Sequence, residues 1–380
     1  MPDRNATYQN SVAGLHSSIA NRSDEQILQR FCRDNPSEGS VRFCLLREPD
    51  FFGALEVEGS RNDVGMITDD KKLVGLGMRS EKDVYINGKK EKLGYYSGVR
   101  VLKEYRGSMV FFRIVRMARE IHKRSECKIY LANIFEHNVK ALDILISPHR
   151  INPSVRFIGK YHTFIFRPER QKPDTANIDT KLRIWRATRA DTENLIVFLN
   201  KQGESRQYFP VYTVEHLEKE GGLLKDLSID RIFIARDNNS IVGTMALWDQ
   251  NKFRSWIVKG YSGILSIIRL PVNLIATMRK KPGFPPPGIP LNYKIISLCC
   301  INPDYPDAFA PLLNQILLDL GNERSVYVVI GFHESDPLLN LFNFPAIRLV
   351  SRLYKIYWPE NALFAEQIDN RLPYFELGSL

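Results

Sequence analysis

The stretch that decides the fold of this chain reads Gly94-Tyr-Tyr-Ser-Gly-Val-Arg-Val-Leu-Lys-Glu-Tyr-Arg-Gly-Ser-Met-Val-Phe-Phe-Arg-Ile-Val-Arg-Met-Ala-Arg-Glu-Ile-His122. Its apolar, β-prone start, Tyr95 to Leu102, predicts a strand. A polar turn around Gly107 follows, and a helix begins directly after it, with apolar residues near the 3.6-residue period. The first N–H groups of a helix have no partner inside it, and the helix dipole favours an anion there. The stretch therefore predicts a strand, turn and helix that can cradle a phosphate group.

Length and composition limit the class of protein. A chain of 380 residues exceeds the usual size of one domain, so we expect two. Hydrophobic residues make up 44% and charged residues 25%, which is typical of a globular protein with a real core. The five cysteines have no C-x-x-C spacing and predict reduced, buried thiols rather than disulfides or a zinc site. The polar amino terminus has no secretory signal, so we expect a cytoplasmic protein. We also expect no metal cofactor.

The net charge of +10 is concentrated in the first half of the chain. Residues 1–176 carry 30 Lys and Arg against 22 Asp and Glu, whereas the remainder carries 23 against 21. A basic first half suits an anionic ligand such as a nucleotide or coenzyme, although it is also compatible with a solvated basic surface. No zinc-finger spacing, RNP-like motif or helix-turn-helix is found, so we expect no nucleic-acid partner.

One apolar segment, Gly260 to Met278, is barely long enough to span a bilayer. It contains Arg269, Pro271 and Asn273, which argue against a membrane span. The segment predicts a buried or partly amphipathic helix in a soluble protein. It belongs to an insertion, residues 256–291, that could cover either a cleft between domains or a sheet edge.

The chain divides at a polar segment with two prolines, residues 167–180, which is typical of a linker. Similar orders of strands and helices are predicted on both sides of it, which indicates an internal structural repeat. We therefore predict a first domain at 1–168, a linker at 169–180 and a second domain at 181–380. Asn87-Gly88 is the strongest hairpin turn signal in the chain.

Several motifs in the first half resemble the GNAT superfamily of acyl-coenzyme-A-dependent N-acyltransferases. The matching pieces are Leu73-Val-Gly-Leu-Gly-Met-Arg79, Val99-Arg-Val-Leu-Lys-Glu-Tyr-Arg-Gly-Ser108, Asn133, and Asn138-Val-Lys-Ala141. More narrowly, the whole chain resembles bacterial proteins with two GNAT domains, on the stretches Arg47-Glu-Pro-Asp-Phe-Phe52 and Trp248-Asp-Gln250. The resemblance implies an α/β fold: two tandem domains, each with a mostly antiparallel mixed sheet that has a V-shaped splay and is flanked by helices.

The resemblance also implies a binding site for acetyl-coenzyme A or another acyl-coenzyme A. The backbone of the splayed strand, at Val99, Arg100 and Val101, would bind the pantetheine arm. The following N–H groups would wrap the pyrophosphate, and they belong to Arg106, Gly107, Ser108, Met109, Val110 and Phe111. Asn133 and Asn138 would lie near the thioester and the distal part of the coenzyme. Val99 would donate its N–H to the oxyanion.

Proton transfer has less support from the sequence. Tyr96 and Tyr130 are the candidates, with Tyr161 and His162 as further ones, although a tyrosine on a half-buried strand is more often a packing residue. Where the family often places a general acid, this chain has Leu145, and where it often places a base, this chain has Ser97 or Gly98.

Two further departures concern coenzyme binding. Met109 and Phe111 replace the small residues that usually let the pyrophosphate approach. In the second half, the equivalent turn Ile301-Asn-Pro-Asp-Tyr-Pro-Asp-Ala308 has two prolines and added acids, so we expect no coenzyme there.

Two hypotheses follow. In the first, the chain transfers an acyl group to a small-molecule or peptide amine, and the second domain shapes the acceptor site. In the second, it is an inactive ligand-sensing or protein-interaction module. The acceptor and the oligomeric state are left open.

Overall fold

The computed structural model describes residues 14–146, 153–168, 182–278, 283–321 and 326–380. The strands are β1 Leu15–Ile19, β2 Val41–Leu46, β3 Arg61–Asp69, β4 Lys72–Ile86, β5 Lys89–Val101, β6 Ile129–Phe135, β7 Ser154–Phe166, β8 Arg183–Arg186, β9 Arg206–Gln207, β10 Phe209–Pro210, β11 Ile232–Asp237, β12 Ser240–Trp248, β13 Ser255–Tyr261, β14 Tyr293–Ile301, β15 Tyr327–His333, β16 Ile347–Tyr357 and β17 Leu372–Pro373. The helices are α1 Glu25–Asp34, α2 Phe51–Leu55, α3 Val110–His122, α4 Val139–Ile146, α5 Thr192–Glu204, α6 Glu215–Glu218, α7 Ile264–Met278, α8 Phe309–Leu320, α9 Leu338–Leu341 and α10 Ala362–Glu366.

One large sheet runs through both halves of the chain. Its strands follow the order β1-β3-β4-β5-β6-β16-β7-β15-β14-β12-β11-β8, and β10 joins it through β4. The pairs β5–β6 and β14–β15 are parallel, and the other pairs of this sheet are antiparallel. The predicted fold class, a mixed and mostly antiparallel sheet flanked by helices, is confirmed.

The two halves exchange their last strands. From the outer edge inwards, the first half contributes β1, β3, β4, β5 and β6, and the second contributes β8, β11, β12, β14 and β15 in the same arrangement. β16 of the second half then pairs with β6, while β7 of the first half pairs with β15. Because β16 and β7 also pair with each other, each half is completed by the other. The division at 169–180 stays a prediction, since residues 169–181 lie outside the described residues.

The glycines of the Leu73–Arg79 motif explain how α3 packs on the sheet. A Cβ atom on Gly75 would lie 2.4 Å from Val110 Cγ1, and one on Gly77 would lie 2.8 Å from Ile114 Cγ2. Glycine at both positions therefore lets α3 approach β4 closely. This close packing holds the amino end of α3 next to the end of β5.

Local predictions were most accurate where a turn or cap was explicit. Asn87 and Gly88 connect β4 to β5 with φ of 54° and 75°, as a two-residue hairpin requires. α2 begins directly after Asp50, which caps it by accepting from the Gly53 N–H at 2.8 Å. β1 and β2 were not predicted.

The insertion contributes one strand and one helix. β13 pairs with β2 in a separate two-stranded sheet, so this strand connects the second half to the first. α7 follows β13 and exposes an apolar side, so of the two alternatives expected for this segment the buried helix is wrong. Among the described residues, no helix combines the length and the apolar character needed to cross a membrane.

Candidate active site

The predicted splay lies between β5 and β6. These parallel strands pair through Leu93, Gly94 and Tyr95 of β5 and then separate. In the antiparallel ladder with β4, Arg100 pairs with Leu76 and Ser97 with Met78, so Gly98 and Val99 form a bulge. Gly98 has a φ of +59°, and Val99 is 48% exposed. The bulge therefore presents the backbone of β5 to the open side of the V.

The turn after β5 leaves backbone donors free at the start of α3. Gly107 has a φ of +80°, and a Cβ atom there would meet nothing within 4 Å. Within the described residues, the N–H groups of Gly107 and Met109 have no hydrogen-bond partner. Met109 is 49% exposed, whereas Val110 is buried against Gly75. The predicted bulk of Met109 does not close the turn, and the site keeps both donors and space for an anion.

Side chains around the turn are held by the protein itself. Arg100 donates to the backbone oxygens of Cys32 and Asn35 at 3.0 and 2.6 Å, which ties β5 to the end of α1. Arg106 pairs with Glu38, and Ser108 Oγ accepts from the Val110 N–H at 3.3 Å. The remaining predicted positions line the same segment, namely Val101 at the end of β5 and the half-buried Phe111 in the first turn of α3.

The two predicted asparagines differ in their surroundings. Asn133 lies on β6, and its Oδ1 is buried with no hydrogen-bond partner within the described residues. An orphaned acceptor on a splayed strand fits a contact with a ligand. Asn138 instead caps α4, where its Oδ1 accepts from the Ala141 N–H at 3.3 Å.

Tyr96 and Tyr130 lie on the face of the sheet that α3 covers. Their rings stack with centroids 4.5 Å apart, and the Tyr130 hydroxyl lies 2.8 Å from Nδ1 of His122 in α3. Burial raises the pKa of Tyr96 well above its ordinary value and that of Tyr130 to about 12. Both hydroxyls are therefore protonated at neutral pH. Their assignment as catalytic residues stays a prediction.

The opposite face carries a buried charge cluster that sequence reasoning missed. Ser97, adjacent to the bulge, donates to Glu58 Oε2 at 2.7 Å. Glu58 is 1% exposed, accepts from Arg47 at 2.6 Å, and lies 3.8 Å from Arg254. Burial acts to raise the pKa of Glu58, but the charges of Arg47 and Arg254 outweigh it and hold that pKa below its ordinary value. Ser97, next to the bulge, therefore contacts the carboxylate of Glu58, although β5 itself carries no carboxylate at this position.

No local motif marked this cluster. Glu58 follows α2, Arg47 follows β2, and Arg254 comes from the second half. Arg254 also donates to the Gly378 carbonyl at 3.0 Å, which connects the cluster to the last residues of the chain. The one available signal was the narrower resemblance around Arg47-Glu-Pro-Asp-Phe-Phe52, which contains one of the members.

Lys82 lies on the same face of β4 as Met78, the residue paired with Ser97. It is 8% exposed. Burial lowers its pKa to about 8, although the negative charges of Glu376 and Glu58 oppose the shift. This face therefore holds a buried amine that is mostly protonated at neutral pH. Among the described residues, no group of His, Cys, Asp or Glu is arranged to hold a metal ion.

The second half repeats the bulge but closes it. Leu298 and Cys299 bulge from β14 between Ser297 and Cys300, and Leu298 has a φ of 48°. The Leu298 N–H donates to Glu376 Oε2 at 2.9 Å. Residues 373–377 line a small cavity together with β14, β15 and Tyr161. β14 and β15 are the parallel strands of the second splay, and they pair only through Tyr293, Lys294 and Ile295 of β14. Residues 373–377 thus occupy this second splay.

Comparison with solved structures identifies the fold. A GCN5-related glucosamine N-acetyltransferase region of a fungal multi-domain β-N-acetylglucosaminidase matches with a TM-score of 0.59 and 13% identity, over 91% of this chain and 39% of that chain. The chain has the GNAT fold. Saccharomyces cerevisiae N-myristoyltransferase with bound myristoyl-CoA matches this GNAT fold with a TM-score of 0.56 and 10% identity, over 92% of this chain and 80% of that chain. An Enterococcus faecalis V583 protein described as a probable N-acyltransferase matches with a TM-score of 0.51 and 12% identity, over 91% and 73%.

The sequence itself is distant from these proteins. No protein-family model and no curated protein matches it. The chain spans 39% of the length of the fungal chain that it matches. The bacterial two-domain type stays a prediction. At such identities the comparison establishes the GNAT fold, and the activity has to be argued from the site.

Proposed function

We propose that the chain is an N-acyltransferase that binds an acyl-coenzyme A in the splay of its first half. The observation that carries this proposal is the contrast between the two bulges. At Gly98 and Val99 the bulge is open and leads into free N–H donors at Gly107 and Met109. At Leu298 the equivalent bulge is bonded to Glu376. One of the two similar halves therefore keeps its backbone groups available for a ligand.

The coenzyme would supply the activated acyl group as a thioester. Its pyrophosphate suits the turn, because Gly107 and Met109 offer unpaired N–H groups at the positive end of the 13-residue helix α3. The backbone of β5 from Val99 to Val101 and the Asn133 Oδ1 on β6 are available to hydrogen-bond the pantetheine arm. The Val99 N–H would stabilise the oxyanion that forms when an amine attacks the thioester carbon.

The acceptor amine would enter on the face that carries Ser97 and Glu58. Because Ser97 donates its proton to Glu58, its oxygen lone pairs are free to accept a hydrogen bond from the amine. The amine must lose a proton before or during attack, and the thiolate of coenzyme A must leave. Residues from the second half, Arg254 and Glu376, shape this face.

Two variants of one residue test coenzyme binding. Met109 has a φ of −68°, close to that of proline, so Met109→Pro removes its N–H donor with little backbone change. A hydrogen bond to a charged group contributes about 1.5–3 kcal/mol, so the affinity for coenzyme A should fall about 10- to 100-fold. Met109→Ala is the matched control, because it keeps the N–H and removes only the side chain. Titration calorimetry with acetyl-, palmitoyl- and free coenzyme A measures the affinities.

The outcomes separate the two hypotheses. Binding that Met109→Pro weakens and Met109→Ala leaves intact supports the turn as the coenzyme site. Release of free coenzyme A from acyl-coenzyme A in the presence of an amine panel would then demonstrate transfer. If none of the three coenzymes binds, the proposal is contradicted and the inactive module is favoured. Binding without transfer to any amine favours ligand sensing.

A further inference from the structure

The exposed side of α7 is the most apolar helical surface in the described part of the chain. The large side chains Ile264, Ile267, Leu270, Leu274 and Met278 are 71%, 74%, 71%, 65% and 77% exposed. Their spacing of three or four residues places them on one side of the helix. Isolated exposed apolar residues are common in soluble proteins, but a contiguous row of this kind marks an interaction surface.

Arg269 and Asn273 of α7 are half-buried and contact other parts of the insertion. Asn273 Nδ2 donates to the Phe284 carbonyl at 3.2 Å, and the Phe284 N–H donates back to Asn273 Oδ1 at 2.7 Å. Arg269 lies over the ring of Tyr261 at 5.3 Å. Tyr261 in turn donates to the Pro285 carbonyl at 2.8 Å. These contacts fix α7 to the rest of the insertion by its polar side and leave its apolar side outward.

The charge around this surface indicates what it meets. Arg279-Lys280-Lys281 follow α7 directly in the sequence. α7 itself contains no acidic residue. An apolar helix side whose chain continues directly into three cations suits the interface of a bilayer with anionic headgroups, where apolar side chains enter the acyl boundary and cations meet the headgroups.

We propose that α7 docks the protein on the surface of an anionic lipid bilayer, lying in the interface with Ile264, Ile267, Leu270, Leu274 and Met278 inserted. The helix lies along the membrane and does not cross it. This inference is independent of the proposed acyl transfer, because it concerns a surface outside the splay.

The primary test is flotation of the purified full chain with lipid vesicles. The protein should float with vesicles of phosphatidylcholine mixed with phosphatidylglycerol, float less with phosphatidylcholine alone, and be released by salt. Ile267→Asp should lower the partition coefficient about tenfold or more, since it replaces an inserted side chain with a charge. The matched control is Val197→Asp on α5, where the valine is 66% exposed but isolated, and binding should be unchanged.

A second measurement reports insertion directly. Leu270→Trp places a fluorophore on the proposed interface, and its emission should shift to the blue when anionic vesicles are added. Because these positions are exposed, the variants should keep the thermal unfolding of the parent chain. Equal flotation of Ile267→Asp and the parent, or no flotation of either, overturns the proposal. A parent dimer that Ile267→Asp converts to a monomer, without vesicle binding, assigns the surface to a second copy instead.

Discussion

Replacing Lys82 by methionine should stabilise the protein at neutral pH. Lys82 is 8% exposed on β4, and burial lowers its pKa from an ordinary 10.5 to about 8. Each pKa unit corresponds to about 1.36 kcal/mol, so burying the charged form costs about 3 kcal/mol when the lysine is protonated in both states. Methionine has a similar length and carries no charge, and it should remove this cost.

The pH dependence distinguishes this cause from a general packing effect. Below pH 8 the lysine is charged in the folded and the unfolded chain, and the full cost applies. Between pH 8 and 10.5 the unfolded chain binds more protons, so the stability of the parent rises with pH. Above 10.5 the lysine is neutral in both states and its cost disappears. The advantage of Lys82→Met should therefore shrink steadily as pH rises through that window.

Urea unfolding of the parent and the variant at a series of pH values measures the difference. Tyrosines also titrate in this pH window, but they do so in both chains, so their effect on stability cancels in the comparison. Lys72→Met is the control, because Lys72 is an exposed lysine on the same strand and its replacement should change little. A Lys82→Met variant that is less stable than the parent at pH 7, or whose advantage does not change with pH, would refute the reasoning.

Two further predictions concern the buried charges. Glu58→Gln should destabilise the chain by about 3–5 kcal/mol, because it leaves two buried guanidinium groups without their counter-charge, and urea unfolding should show it. Glu104, an exposed carboxylate that forms an ion pair with Lys72, is the control. Equal small effects of Glu58→Gln and Glu104→Gln on the free energy of unfolding would show that the cluster contributes no stability. Glu376→Ala should cost about 1–3 kcal/mol by orphaning the buried Leu298 N–H, and calorimetry should find coenzyme A affinity unchanged. A changed affinity would show that Glu376 acts on the coenzyme site of the first half.

Sequence reasoning was strongest for elements that specify themselves locally. The strand, turn and helix from Tyr95 to His122 occur as predicted, since apolar period and glycine position are properties of neighbouring residues. The same holds for the Asn87-Gly88 hairpin, where two residues with positive φ determine the turn. The fold class and the splay were implied by the resemblance of the motifs to a known family.

The candidate site was predictable in its backbone but not in its side chains. The turn follows from the order of the elements, so Gly107 could be placed from the sequence, whereas Val99 was placed through the family resemblance and its bulge was not predicted. Glu58 could not, because its contact with Ser97 depends on how the segment after α2 packs over β5. Residues far apart in the chain form the charge cluster, and no spacing rule connects them.

The sequence by itself determined several of the strands and helices, including the strand and helix on either side of Gly107, and it predicted that the turn between them can cradle a phosphate. Only the tertiary structure decided which strands pair. β7 and β16 are both alternating strands that could each have closed its own half, and the alternation that buries a strand does not name its neighbour. Pairing across the halves depends on long-range contacts, and so does the closing of one splay by residues 373–377 while the other stays open.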